Sequence, residues 1–230
     1  TAQEIPRSSL LTAQYKHDAN NPGISAAYNA AYRFAMDRGK RWLLFLDQDT
    51  RVDALAIAQY AAAVKNYSSH SIFAPMVVDS RGMLSPFRFK YGRGFRVSRF
   101  ATGFLPLQEF RAINAGLLVS CNLFGRTGGY EEAFVLDFSD IAFLEKVKPI
   151  CDSLCLVDTI LEQDFSGSTP SDLSNALVRF KRYNEGASQY ARRFGGRFAV
   201  RSGAFLRGLK LTIQWRRMEF LRIHFKTWNE

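Results

Sequence analysis

The chain has 230 residues, 47% of them hydrophobic and 14% aromatic. That suffices for one large domain with a buried core and excludes a disordered chain. Three cysteines, Cys121, Cys151 and Cys155, without CxxC spacing exclude a disulfide framework and a zinc site, and suit buried free thiols in a reducing compartment. The net charge of +10 is concentrated: residues 171–230 carry thirteen Lys and Arg against four Asp and Glu, a net +9, whereas residues 1–170 are nearly balanced. No apolar run reaches the roughly 18 residues of a membrane-spanning helix, and no secretory signal opens the chain, so a cytoplasmic protein is expected.

In chain order, residues 10–15 (LLTAQY) read as a short strand, followed by a turn at Asn20-Asn21-Pro22-Gly23. The 3.6-residue spacing of Ala27, Tyr28, Ala31, Phe34 and Ala35 predicts a helix over 25–38 that stops at Gly39. Residues 42–46 (WLLFL) form an apolar run typical of a strand buried on both faces. A helix over 54–64 and a second buried strand over 72–78 (IFAPMVV) follow. Residues 79–112 are broken by glycines and read as an excursion or a pair of hairpin strands. Beyond them come a strand over 116–120, a short helix over 121–126 ending at Gly128-Gly129, a helix over 141–148 and a strand over 154–160. Residues 167–171 read as a linker, with Ser171 or Asp172 capping a basic helical segment beyond it. This alternation predicts an α/β fold: a mainly parallel sheet flanked by helices over residues 1–170, with a basic helical extension over 171–230.

Three segments carry chemistry. Asp47-Gln48-Asp49 directly follows the apolar run, and open α/β sheets bind ligands at the carboxyl ends of their strands. Two carboxylates there suit a hard divalent cation, Mg²⁺ or Mn²⁺, bridged to phosphate; the competing reading is a solvated turn that caps the next helix, near Val52. In Asn21-Pro22-Gly23, the glycine allows close backbone approach and the following helix offers free N–H groups to a phosphate or base, with Asn29 one turn further on; an ordinary capped loop is the alternative. Asn114 and Gly116, then Gly128-Gly129-Tyr130, then Asp137 and Asp140 make the third. A carboxylate before the helix at 141 suits a general base, and it equally suits a helix cap.

Taken in order, these segments resemble inverting glycosyltransferases of the GT-A (Rossmann-like) fold, in particular their bacterial rhamnosyltransferase-like branch. The matching positions are Asn21-x-Gly23-x5-Asn29, Leu44-Phe45-Leu46-Asp47-Gln48-Asp49-Thr50, Asn114-x-Gly116 and Gly128-Gly129-Tyr130-x6-Asp137-x2-Asp140, over about residues 8–167. The resemblance implies transfer of a sugar, L-rhamnose from dTDP-rhamnose, to a glycan or lipid-linked acceptor with inversion, as in polysaccharide biosynthesis. It implies that Asn21, Gly23, Asn29, Asp47 and Asp49 bind the donor, that Asn114, Gly116 and Gly129 line the sugar or acceptor side, and that Asp140 is the base, with Asp137 its rival. It puts a metal at Asp47 and Asp49. The family's metal-binding histidine is here Gln163, with Asp164 as the substitute ligand. Such enzymes open with a strand, a helix and a second strand, for which too few residues precede the first predicted strand, so the base pocket is left unassigned. A non-catalytic, membrane-tethered scaffold is the competing reading.

For the basic extension three readings stand: an amphipathic helix on an anionic membrane, at the inner face of the cell membrane; a helical subdomain packed on the catalytic part; and nucleic-acid binding, which no recognition motif accompanies and which is set aside.

Overall fold

The computed structural model describes residues 14–47, 49–98, 100, 103–163 and 172–229. The elements run α1 (Ile24–Asp37), β1 (Trp42–Leu44), β2 (Thr50–Arg51), α2 (Ala54–Asn66), β3 (Ile72–Asp79), β4 (Gly82–Ser85), β5 (Phe87–Lys90), β6 (Arg93–Phe95), β7 (Gly103–Pro106), β8 (Phe110–Arg111), β9 (Leu118–Ser120), α3 (Cys121–Thr127), α4 (Ser139–Val147), β10 (Ser153–Gln163), α5 (Leu173–Phe194), α6 (Arg197–Trp215) and α7 (Glu219–Asn229).

The helices and most strands fall where hydrophobic spacing predicts them. Most of the strand expected over 10–15 lies outside the described residues, as do the linker at 167–171 and Asp164. Gln14 and Tyr15 are described and are not in a strand.

The α/β architecture is the expected one, but its sheet is mixed rather than mainly parallel. The central order is β1-β9-β3-β10-β2, with β4 added beside β3 and β7 beside β10. Among the described pairings of this sheet only β3 with β10 is parallel. The excursion over 79–112 supplies β4 and β7, and also β5, β6 and β8, which form a separate three-stranded antiparallel sheet.

Side chains alternate across the main sheet into two cores. Leu43, Phe45, Ile72, Ala74, Leu117, Val119, Leu154 and Leu156 face α1, α3 and α4; Phe73, Leu118, Cys155 and Val157 meet Tyr60 and Ala63 of α2. Each such large apolar side chain, fully buried, contributes roughly 1.5–3 kcal/mol. The apolar run at 42–46 ends differently from expectation: Leu46 is exposed, because the chain leaves the sheet after Phe45 to make the aspartate turn. Of the cysteines, Cys121 and Cys155 are buried, Cys151 is half-buried, and all three are free thiols.

The basic extension is not a separate arm. Ala187, Tyr190, Ala191, Val200, Ala204 and Trp228 share one core with Phe134, Phe138 and Ala142. Asp172 caps α5, accepting from the Asn175 N–H at 2.8 Å. Tyr190 of α5 donates to Glu145, which also holds the buried Arg111. Gly186 lets α5 approach closely: a Cβ there would stand 2.8 Å from the Asp137 carbonyl oxygen. Gly186→Val is therefore expected to destabilise the fold by about 1–3 kcal/mol through overpacking, read as a drop in the urea midpoint against wild type. An unchanged midpoint would show that α5 has room to shift.

Candidate functional site

A cavity of about 470 Å³ opens between the sheet, the β5–β6 hairpin and the helical extension. Its walls include Asp47, Asn114, Asp137, Ser139, Asp140 and Gln163. Four segments that are distant in sequence thus meet at one place.

Asp47 sits where the chain turns off β1, and the Thr50 N–H closes this turn on the Asp47 carbonyl at 3.1 Å. The neighbouring helix does not use either aspartate of the turn as its cap. Asp53 caps α2 instead, accepting from the Ala56 N–H at 2.7 Å, which leaves the turn carboxylates free for other partners. Tyr28 of α1 donates its hydroxyl to Asp47 Oδ1 at 3.2 Å. Gln163 Nε2 donates to Asp47 Oδ2 at 3.2 Å and to Asp49 Oδ1 at 3.1 Å. The last residue of β10 therefore bridges the aspartate pair across 116 and 114 positions of sequence.

The sheet explains this bridge: Gln163 is the register partner of Thr50, directly after the pair. A register shift between Leu156 and Ile160 lets one strand pair with β7 in its first half and β2 at its end. Burial pushes the Asp47 carboxyl upward, the Asp49 charge adds to that, and the bonds from Tyr28 and Gln163 oppose it.

Asp140 lies in the first turn of α4, two positions further into the helix than the cap. The helix starts at Ser139, and its capping position is Phe138 in the left-handed region, so the reading of Asp140 as a cap is corrected. Asp140 Oδ1 accepts from the Ile141 N–H at 2.8 Å. Burial is the main force raising its carboxyl, the charges of Asp137 and Asp47 push the same way, and the result is a pKa of about 6. Burial also raises Asp137, whose Oδ2 is buried without a hydrogen-bond partner, while Arg207, Arg179 and Arg182 pull it down. Asn114 is buried, accepting from the Tyr130 hydroxyl at 2.7 Å and donating to Ser139 at 3.4 Å.

The remaining expected site residues lie elsewhere. Asn21 and Gly23 line a second cavity, of about 910 Å³, on the outer side of α1. Gly23 has φ 96° and faces Val135 so closely that a Cβ would collide with its backbone. Asn29 is engaged with Tyr130, whose N–H donates to its Oδ1 at 2.8 Å and whose carbonyl accepts from its Nδ2 at 3.0 Å. Gly129 must stay small beside that same Asn29 Oδ1, and Gly116 packs against Pro75, Leu161 and Tyr60 behind the aspartate turn. Neither these two glycines nor Asn29 lines either cavity.

Two carboxylates and an amide suit a metal completed by substrate, since Mg²⁺ commonly takes one or two carboxylates plus substrate phosphates. Gln163 Oε1 is buried and unpartnered, so half a turn of that amide would present an oxygen to the pair. Among the described residues, no group of three or more His, Cys, Asp and Glu side chains is arranged for a metal.

No protein-family model matches the chain. A curated relative, the dTDP-rhamnosyl transferase RfbF of Shigella flexneri, is 26% identical over 122 residues, 52% of this chain and 41% of that protein. The likeness is to a glycosyltransferase. A solved structure, GalNAc-T7 with UDP, GalNAc and Mn²⁺, is similar with a TM-score of 0.49 and 16% identity, over 75% of this chain and 37% of that one. The chain thus spans about two fifths of the length of each.

Four residues of the site escape a sequence reading. Tyr28 looks like one more apolar position of α1, and only the turn of β1 toward it reveals the bond to Asp47. Arg93, Arg179 and Arg207 also line the main cavity, and no local pattern distinguishes them from other surface arginines.

Proposed function

We propose that the protein is a glycosyltransferase that moves a sugar from a nucleoside diphosphate donor to a hydroxyl of a glycan or lipid-linked acceptor, with inversion. Asp140 carries this reading. A carboxylate whose pKa is about 6, lining the same cavity as the aspartate turn, is suited to take a proton near neutral pH. In the proposed step Asp140 accepts the acceptor hydroxyl proton as that oxygen attacks the anomeric carbon. The bond to the diphosphate breaks on the opposite face, and a nucleoside diphosphate leaves with the electron pair. Asp137, Asn114 and Ser139 orient groups around that carboxylate.

Asp47, Asp49 and the Gln163 amide oxygen would hold Mg²⁺ or Mn²⁺, with Asp164 the further candidate. Such an ion, when bound, offsets the charge gathering on the departing diphosphate. The proposed donor is dTDP-L-rhamnose, supported by the likeness to the Shigella flexneri dTDP-rhamnosyl transferase and by the Asp-Gln-Asp-Thr form of the turn. Asn21 and Gly23 are assigned to the nucleotide end of the donor, through the second cavity.

The test is thermal melting with Mn²⁺ and a panel of nucleoside diphosphates. A selective rise is expected with dTDP, since a ligand of the folded state must stabilise it. A selective rise with UDP alone would sink the rhamnose assignment. No rise with any nucleotide would favour the non-catalytic scaffold.

No helix of the described residues is long and apolar enough to cross a membrane. A peripheral seat on an anionic membrane is proposed for the outer side of α6 and α7, supported by the exposure of Phe198 (87%), Ile213 (69%) and Met218 (57%) among basic residues. Because the extension shares a core with the catalytic part, removing it would unfold more than a tether. Phe198→Ser with Ile213→Ser is the cleaner variant, and it is expected to lose co-sedimentation with phosphatidylglycerol vesicles. Undiminished binding would refute the membrane seat.

A further inference from the structure

The main cavity carries three cations that the proposed chemistry does not use. Arg93 comes from β6, Arg179 from α5 and Arg207 from α6, and all three line the wall shared with Asp137. Three separate elements converge, so this is not the solvated face of one helix.

None of the three forms an ion pair within 4 Å among the described residues, although Asp137 and Asp140 line the same cavity. Two of them are held in place by packing. The Arg207 guanidinium stacks 3.9 Å above the Tyr183 ring, another wall residue. The Arg93 side chain lies over Gly203, where a Cβ would stand 3.2 Å from its aliphatic carbons, and Gly92 beside it is packed against Val200. Arg207 also hydrogen-bonds the Tyr183 hydroxyl, and guanidinium groups that no carboxylate takes match the planar, multiple hydrogen bonding of a phosphate.

The charges in the cavity are ordered. Asp47 responds to Asp49, Tyr28 and Gln163; Asp140 responds to Asp137 and Asp47; Asp137 responds to Arg207, Arg179 and Arg182. Arg179 and Arg207 thus act on Asp137, and with Arg93 they line the same cavity as Asp47 and Asp140. A neutral glycan hydroxyl needs no cation there. An acceptor that carries a phosphate would otherwise meet a wall holding Asp47, Asp137 and Asp140, whose charges would repel it.

We propose that Arg93, Arg179 and Arg207 form an anion subsite that takes a phosphate group carried by the acceptor, so that the helical extension selects phosphate-bearing acceptors. The identity of the group as an acceptor's rests on the glycosyltransferase reading; the anion site itself does not.

The test uses the full chain and inorganic pyrophosphate without divalent metal, by isothermal titration. Arg179→Gln and Arg207→Gln are each expected to weaken binding by roughly tenfold or more, the scale of one lost charge-assisted contact. Arg192→Gln, on α5 away from the cavity, should match wild type. Arg207→Gln removes a stacking partner of Tyr183, so Arg179→Gln, at an exposed position, keeps the result independent of folding. Asp49→Ala should retain pyrophosphate binding. The proposal is overturned if wild type does not bind pyrophosphate, or if both arginine variants bind it as Arg192→Gln does. Pyrophosphate binding that needs the arginines, in a protein whose melting no nucleoside diphosphate moves, upholds the anion site and defeats the glycosyltransferase reading alone.

Discussion

Asp140→Asn is expected to lower turnover by about 10²–10⁴-fold while making the folded protein more stable at neutral pH. The two effects have one cause. Burial, aided by the charges of Asp137 and Asp47, raises the carboxyl to about 6 from an ordinary 3.8. Above pH 6 both states carry the charge, but only the folded surroundings disfavour it, a burden of roughly 2–3 kcal/mol. Asparagine removes the charge and keeps the oxygen that accepts from Ile141.

The sign with pH follows. Between pH 6 and 3.8 the folded wild type binds a proton that the unfolded chain does not, so wild type gains stability as pH falls through that window. Total stability does not isolate this effect, because His224, buried and held near 4, moves the opposite way as pH falls below 6.5. The difference between variant and wild type cancels His224. The advantage of Asp140→Asn in melting temperature should therefore be clear at pH 7.5 and shrink by pH 5. Wild-type turnover should fall about tenfold per unit below pH 6 as the base is protonated. An advantage independent of pH would mean that Asp140 titrates normally, and an Asp140→Asn enzyme with full turnover would pass the base role to Asp137.

Asp49→Ala is expected to abolish the metal-dependent stabilisation by nucleoside diphosphate. At a ligand concentration near 100 times Kd the wild type should gain about 2.7 kcal/mol, several degrees of melting temperature for a chain of this size. The ligand-free variant should melt close to wild type or slightly higher. Asp47 keeps its bonds from Tyr28 and Gln163, and it loses the neighbouring charge that pushes its own carboxyl upward. A nucleotide shift that survives in the variant would show that Asp49 is not part of the donor site. A large fall in the melting temperature of the ligand-free variant would mean that the Gln163 bridge holds the sheet edge together rather than serving a ligand.

Periodicity and position were enough for the layered α/β fold and for the aspartate turn. A run such as Trp42–Phe45 must be covered by helices, and two carboxylates placed directly after it must emerge at a strand end. The sense of the strands was not legible from those residues. Ile72, Phe73 and Ala74 are apolar because helices cover both faces of the sheet, and that burial is the same for a parallel or an antiparallel neighbour. Hence β9 lies antiparallel between β1 and β3, where a parallel ladder was expected.

The candidate site divides along the same line. Local sequence determined that Asp47, Asp49, Asp137 and Asp140 stand at or near element ends, where a side chain can turn toward a cavity. Only the tertiary structure decided which of them meet, and what else meets them. Gln163 reaches the aspartate pair through the end of an irregular strand and Tyr28 through a helix packed beside β1, while Arg179 enters the cavity on α5, which Gly186 allows against Asp137, and Arg207 enters on α6. These contacts span tens to more than a hundred residues, and a side chain's type and its near neighbours carry no record of a partner so far along the chain.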